Sequence, residues 1–143
     1  DTLIKSLTQP VLGICLGMQL MCKHSEEGDV DCLGIFDLPV KKFIPLNREK
    51  IPHMGWNQIR VNDTALNNVS ILDGADNEYM YFVHSYYLEA TDKSIVVATT
   101  EYGVNIHASV EKDNVFACQF HPEKSSDVGL NILRNFTQIK GGC

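Results

Sequence analysis

Apolar positions first recur at helical spacing, with Leu3, Ile4 and Leu7 on one face of a helix predicted over residues 1–8. Gln9-Pro10 ends it, because the residue before a proline is pushed out of the helical region. Val11-Leu12-Gly13-Ile14 follows, an apolar run too short for a helix and suited to a strand covered on both faces. Leu16 to Lys23 then carries good helix formers and no breaker, so strand, tight turn and helix make half of a βαβ unit. From there the period changes. Gly34 to Ile44, Trp56 to Val61, Glu78 to Glu89, Ser94 to Glu101, Val104 to Val110 and Val115 to His121 are rich in β-branched and aromatic residues, with turn formers between them. Tyr102-Gly103 between two of these runs predicts a tight hairpin. The last segment, Asp127 to Ile139, predicts a helix with Ser126 as N-cap and Leu130, Leu133 and Phe136 (or Thr137) on one face, although no Glu or Gln completes a capping box. The pattern is α/β at the start, antiparallel or mixed β in the middle, and a closing helix. A chain that opens inside a helix and enters a doubly covered parallel strand lacks that strand's neighbours, so it reads as a piece of a longer one.

Composition narrows the class. At 143 residues, with 44% hydrophobic and 21% charged positions, the chain is one ordinary globular domain that needs no covalent staples. Twelve Lys and Arg against 18 Asp and Glu give a net charge of −6, which argues against nucleic acid or an anionic membrane as partner. No apolar run approaches the ~18 residues of a membrane span, and the first residues have no signal-peptide pattern. Cysteines stand at 15, 22, 32, 118 and 143, odd in number and without a C-x-x-C pair, as expected of free thiols in a reducing, cytoplasmic setting. Cys22 and His24 lie close together, but no second ligand pair matches them, so no metal site is expected.

Two short motifs carry the chemistry. Gly13-Ile14-Cys15-Leu16-Gly17 at the strand-to-helix junction has the form of a nucleophile elbow with cysteine at its apex. Such a turn is sharp, so a side chain at either glycine is expected to collide with the neighbouring helix or strand. The thiol would sit over the helix N-terminus, whose dipole favours thiolate, and the Leu16 N–H would point where an oxyanion forms. A buried structural cysteine between turn glycines is the plain alternative. The second motif is Gln119-Phe120-His121-Pro122-Glu123-Lys124. In extended chain His121 and Glu123 point the same way, and Pro122 marks the end of the strand. A histidine oriented by a carboxylate is the base half of a triad; a surface His–Glu pair at a turn is the alternative. His84 reads as a hydrogen-bonded core histidine, and His24, His53 and His107 have no triad context.

The sequence resembles the class I (triad) glutamine amidotransferases, whose elbow is G-x-C-x-G and whose base pair is H-P-E. LGICLGMQLM at 12–21, SEE at 25–27, PHMGWN at 52–57, YFVHSYY at 81–87, TTEYG at 99–103 and QFHPEKSS at 119–126 carry the resemblance through the whole chain. They point to the branch of glutaminase subunits from histidine biosynthesis. The resemblance implies a flavodoxin-like α/β domain with a central mixed sheet and a smaller antiparallel β layer, residues 1–143 forming the C-terminal part of the amidotransferase domain. It implies that Cys15 attacks the side-chain amide of L-glutamine, His121 shuttles the proton and Glu123 orients His121. Leu16, Gln19, Glu27, Ser85 and Tyr86 match substrate-contacting positions; read as residues alone, Gln19, Glu27 and the Ser85-Tyr86 pair are a helix amide, an acidic loop residue and strand-end hydroxyls. Met54, Trp56 and Tyr81, which would otherwise pass for core, and Lys124 match the face that meets a (β/α)₈-barrel cyclase subunit in a heterodimer. That partner forms imidazole glycerol phosphate and an aminoimidazole carboxamide ribonucleotide, and no cofactor is implied. The family's strand, helix and glycine-rich oxyanion loop near its N-terminus have no counterpart here. A truncated, inactive docking module and the glutaminase of another amidotransferase are the alternatives.

Overall fold

The computed structural model describes residues 2–62, 71–90 and 92–140. The chain runs α1 (Thr2–Ser6), β1 (Val11–Ile14), α2 (Leu16–Leu20), β2 (His24–Ser25), β3 (Val30–Asp31), β4 (Pro39–Lys42), β5 (His53–Gln58) and β6 (Arg60–Val61). It continues through β7 (Tyr79–His84), β8 (Tyr86–Leu88), β9 (Val96–Tyr102), β10 (Val104–Lys112), β11 (Val115–Cys118) and α3 (Ser126–Thr137), with single 3₁₀ turns at Lys93–Ile95 and Pro122–Lys124. The central sheet is mixed, in the order β1-β11-β10-β9-β6, with β1 and β11 parallel and its other pairs antiparallel. The smaller β layer is divided into a four-stranded sheet, β3-β2-β4-β8, and an antiparallel pair, β5-β7. Within the four-stranded sheet β2 and β4 run parallel.

Alternation along β11 shows why the central sheet is covered on both faces. Phe116 and Cys118 face a cluster with Ile59, Ile71, Leu72, Met80, Phe82, Phe120 and Ile132, while Val115 and Ala117 face Met18, Met21, Phe36, Leu38, Val40 and Leu88. Each fully buried aliphatic or aromatic side chain contributes about 1.5–3 kcal/mol.

Several boundaries differ from the sequence reading, each for a local reason. Helix α2 stops at Leu20 rather than Lys23, and the apolar run from Gly34 becomes strand only at Pro39. One cause explains both: Leu33 N donates to Leu20 O (2.9 Å), Gly34 N to Cys22 O (2.7 Å) and Ile35 and Phe36 N to Met21 O (2.9 Å each). The backbone of 33–36 thus satisfies the open end of α2 instead of a strand ladder. The run from Glu78 to Glu89 breaks at Ser85, because β7 pairs with β5 while β8 pairs with β4 in the other sheet. The cap of α3 is Ser125, not Ser126, and it caps without its side chain. Its hydroxyl is taken, donating to His121 O (2.6 Å) and accepting from Tyr81 N (2.9 Å). The inward face of α3 is Val128, Gly129, Ile132 and Phe136; Leu130 is exposed. Leu3 is likewise exposed, and α1 buries no residue. The Tyr102-Gly103 hairpin is present, with Gly103 at φ +71° where an L side chain is strained. Cys143 and Asp1 lie outside the described residues.

Candidate active site

Parallel pairing brings the two chemical motifs together. Ile14 lies opposite Cys118, and Cys15 N extends the ladder by one bond to Cys118 O (2.8 Å), so Cys15 and the segment from Gln119 leave the sheet at the same end. Cys15 sits at φ 51°, ψ −106°, a conformation that costs a non-glycine residue and is held here by the strand before it and the helix after it. A Cβ at position 13 would stand 2.8 Å from Met21 Sδ and 3.0 Å from the Gly17 and Met18 backbones, so glycine is required there. Position 17 is different. Nothing lies within 4 Å of a Cβ built on Gly17, which corrects the expected collision at both glycines.

The thiol is half-buried, donating to Val83 O (3.6 Å) and accepting from Gln119 Nε2 (3.7 Å). Burial pushes its pKa above the ordinary thiol value, opposed by the Leu16 N–H, Gln119 and Lys124, and reinforced by the negative charge of Glu123. The Leu16 N–H at the start of α2 favours the thiolate, as expected, but burial is the larger influence. Cys22 is raised further, to about 12, and fully buried Cys118 is also raised by burial.

His121 follows β11 by three residues and is clamped through its backbone: its N–H donates to Tyr81 O (2.9 Å), and its carbonyl accepts from Lys124 N (3.0 Å) and Ser125 Oγ. Its Nδ1 lies 2.5 Å from Glu123 Oε1, the expected base–orienter contact. A carboxylate can only accept, so Nδ1 carries the proton and Nε2 is left as the basic nitrogen. Val83 O, Gln119 Nε2 and the Leu16 N–H engage the thiol, and His121 does not hydrogen-bond to it. The nucleophile–base contact is thus open, as is common before substrate binds.

Beside Cys15 lies a cavity of about 240 Å³ lined by Cys15, Leu16, Gln19, Glu27, Val83, His84, Ser85 and Tyr86. It gathers all five residues matched to substrate positions, although they come from separate segments of the chain. Gln19 is buried, donating to Tyr86 O (3.1 Å) and Gln119 Oε1 (3.2 Å), while Glu27 is an exposed rim residue. Ser85 and Tyr86 occupy the point where the chain passes from one sheet to another. Larger clefts, of about 430, 520, 510 and 270 Å³, touch neither Cys15 nor His121. Among the described residues no three His, Cys, Asp or Glu side chains gather as a cation's ligands.

His84 is a hydrogen-bonded core histidine, as read from the sequence, but it belongs to a pair. Asn57 Nδ2 donates to His53 Nε2 (3.2 Å), His53 Nδ1 to His84 Nε2 (2.9 Å), and His84 Nδ1 to Tyr86 O (2.8 Å). Burial lowers both rings to about 4, so they are neutral at pH 7. His24 instead pairs with Asp29 and Asp31, and His107 accepts from Ala90 N.

Met54 and Trp56 are 62% and 53% exposed, which sets aside a core role for them. Trp56 meets Tyr81 edge-to-face at 6.0 Å across the β5–β7 register, and Lys124 Nζ lies 5.9 Å from the Tyr81 ring centre. The four expected interface residues therefore form one surface patch. Gln119, Val83 O and Ser125 are the site groups that sequence reasoning missed. For Gln119 a signal was present: it opens the same motif that carries His121 and Glu123.

A strained cysteine elbow, a His–Glu pair at the end of the neighbouring parallel strand and a small polar cavity define a class I glutamine amidotransferase. The family described as "Glutamine amidotransferase class-I" matches residues 2–139. The HisH subunit of imidazole glycerol phosphate synthase from Bacteroides thetaiotaomicron is 52% identical over 141 residues, covering 97% of this chain and 68% of its own length. HisH from Methanothermobacter thermautotrophicus is 47% identical over 132 residues, 92% of this chain and 63% of that protein. The chain belongs to the class I glutamine amidotransferases and, within them, to the HisH subunits of imidazole glycerol phosphate synthase. It spans about two thirds of the length of these relatives. Among solved structures, a putative GMP synthase protein from Thermoplasma acidophilum shares the fold with TM-score 0.66 at 21% identity, covering 94% of this chain and 59% of that one. A glutamine amidotransferase from Thermotoga maritima gives 0.61 at 18% identity, covering 95% and 50%.

Proposed function

We propose that the chain hydrolyses L-glutamine to glutamate and ammonia through a thioester on Cys15, and passes the ammonia to the cyclase subunit of imidazole glycerol phosphate synthase. The observation that carries the reading is the cavity in which Cys15 and the Leu16, Gln19, Glu27, Ser85 and Tyr86 positions converge. The Cys15 proton moves to His121 Nε2, and the sulfur attacks the side-chain carbonyl carbon of glutamine. The Leu16 N–H faces the developing oxyanion. Collapse of the tetrahedral intermediate expels the amide nitrogen, which leaves as ammonia after taking the proton from His121. Water, deprotonated by the same imidazole, then cleaves the thioester and releases glutamate. Glu123 holds the imidazole tautomer and stabilises its charged form. Glu27, Ser85 and Tyr86 hold the amino-acid end of the substrate, and Gln19 contacts it. Cysteine, base and oxyanion donors suffice for this chemistry without a cofactor.

The exposed patch of Met54, Trp56, Tyr81 and Lys124 is the face for the cyclase, which forms imidazole glycerol phosphate and the aminoimidazole carboxamide ribonucleotide. Identity near one half to HisH subunits favours this synthase over the glutaminases of other amidotransferases. We place the protein in the cytoplasm, the reducing setting that suits its free thiols. The test is glutamate release and coupled synthesis in the presence of the cyclase. Cys15→Ala should abolish glutamine-dependent synthesis and leave ammonia-dependent synthesis intact. Glutamate release that survives Cys15→Ala would overturn the reading.

A further inference from the structure

We propose that Gln119 is a positioning residue for the nucleophile, its side-chain amide locked with the N–H end on the Cys15 sulfur. The residue leaves the sheet directly after β11, is fully buried, and is fixed by its backbone N–H to Ala108 O (2.8 Å). It does not line the substrate cavity.

Its orientation follows from its neighbours by elimination. The Tyr86 carbonyl can only accept, so the Gln19 group 3.1 Å from it is the amide nitrogen. That same nitrogen lies 3.2 Å from the Gln119 side chain, so the atom it meets there is the oxygen, Oε1. Nε2 of Gln119 is thereby turned to Cys15 Sγ at 3.7 Å. Tyr86 O is itself held by His84 Nδ1, with His53 and Asn57 behind it, so the chain of donors has one direction from Asn57 to Tyr86. Reversing the Gln119 amide would set two NH₂ groups against each other in a buried site.

The sulfur therefore sits between opposite influences. Val83 O accepts from the thiol and favours its protonated form, whereas the Gln119 N–H favours the thiolate. When the proton passes to His121 Nε2, Val83 loses its donor and the Gln119 N–H becomes a charge-assisted bond to S⁻. The device keeps the thiol inert at rest and supports the anion at the moment of attack. Its catalytic meaning rests on the glutaminase reading; the thiol's titration does not.

The experiment measures the rate of Cys15 alkylation by iodoacetamide against pH, resolved by peptide mapping, in the parent chain, Gln119→Met and Gln19→Met. Loss of the donor should raise the apparent thiol pKa, so that Gln119→Met is alkylated about tenfold more slowly near neutral pH and reaches the parent plateau at high pH. Gln19→Met keeps the donor but frees its orientation, and should give a smaller shift in the same direction. In steady-state glutamine hydrolysis with the cyclase present, Gln119→Met should lower kcat by more than it raises KM, since the lost bond to Gln19 bears on binding and the lost bond to sulfur on attack. If Gln119→Met does not fold, as judged by circular dichroism, the Gln19→Met profile decides. An alkylation profile that superimposes on the parent in a folded variant would overturn the assignment. The expected thiol shift in a protein that releases no glutamate would sustain the assignment and fail the glutaminase reading.

Discussion

Gly129 ties the packing of α3 to the position of the catalytic base. A Cβ at this site would lie 2.0 Å from Pro122 O, 2.7 Å from Ser125 Cβ and 2.8 Å from Pro122 C, where ordinary contact begins at 3.4 Å. In Gly129→Ala the helix or the Pro122–Lys124 turn must yield by more than an ångström, and neither is soft. Ser125 N donates to Pro122 O and Gly129 N to Ser125 O (3.1 Å each), so turn and helix start form one hydrogen-bonded unit. Overpacking of this kind costs about 1–3 kcal/mol, against at most about 1 kcal/mol gained in helix propensity. The net expectation is a loss of about 1–2 kcal/mol in urea unfolding. The same shift moves His121 and Glu123, and a misplacement near 1 Å costs about 10²-fold in turnover. KM should hold, because no residue of the turn lines the cavity. Gly17→Ala is the control: with open space at its Cβ, it should be neutral or stabilising by up to about 1 kcal/mol in the same unfolding assay. A Gly129→Ala protein with the parent's unfolding midpoint and turnover would show that α3 does not set the base, and would refute this reasoning.

His53 and His84 make stability pH-dependent in one direction. Their folded values near 4 lie below the ordinary histidine value, so between about pH 6.5 and 4 the unfolded chain binds protons that the folded one does not. Stability is complete above that window and falls as pH drops through it, by on the order of 3 kcal/mol for one ring and less than twice that for the coupled pair. Urea midpoints from pH 7 to 4.5 should show the loss, and His84→Gln should flatten the profile; equal slopes in the two proteins would contradict it. Glu123→Gln should reduce glutamine turnover less than His121→Ala, because the imidazole remains; the reverse order in steady-state kinetics would exchange their roles. Trp56→Ala should weaken the cyclase complex by tenfold or more in titration calorimetry, the effect of an exposed aromatic anchor, and an unchanged Kd would remove the patch from the interface.

The chemistry was legible because its signals are local. Glycine at 13 and cysteine at 15 are set by backbone geometry that spacing encodes, and the His121–Glu123 contact is two residues apart in sequence, although it is made across the Pro122–Lys124 3₁₀ turn and not along extended chain. The end of α2 was not, since it depends on carbonyls being met by residues 33–36, a tertiary event. Nor was the break at Ser85, because a continuous β-rich run carries no mark of where it changes sheet. Equal treatment of Gly13 and Gly17 failed for a similar reason: the motif is symmetric, but only Gly13 faces Met21 and the α2 backbone. The upward push on the Cys15 pKa was not legible, because desolvation comes from what packs around the thiol, whereas the Leu16 N–H that opposes it belongs to the motif.

The central claim is that Cys15 is the thiol that attacks glutamine. It is tested most directly by incubating the protein, with its cyclase, with an electrophilic glutamine analogue and locating the adduct by peptide mapping. The account predicts modification at Cys15 ahead of every other cysteine, suppressed by excess glutamine, with buried Cys22 and Cys118 left unlabelled. Labelling of Cys22 or Cys118 at the rate of Cys15, or labelling of Cys15 that glutamine does not slow, would contradict it.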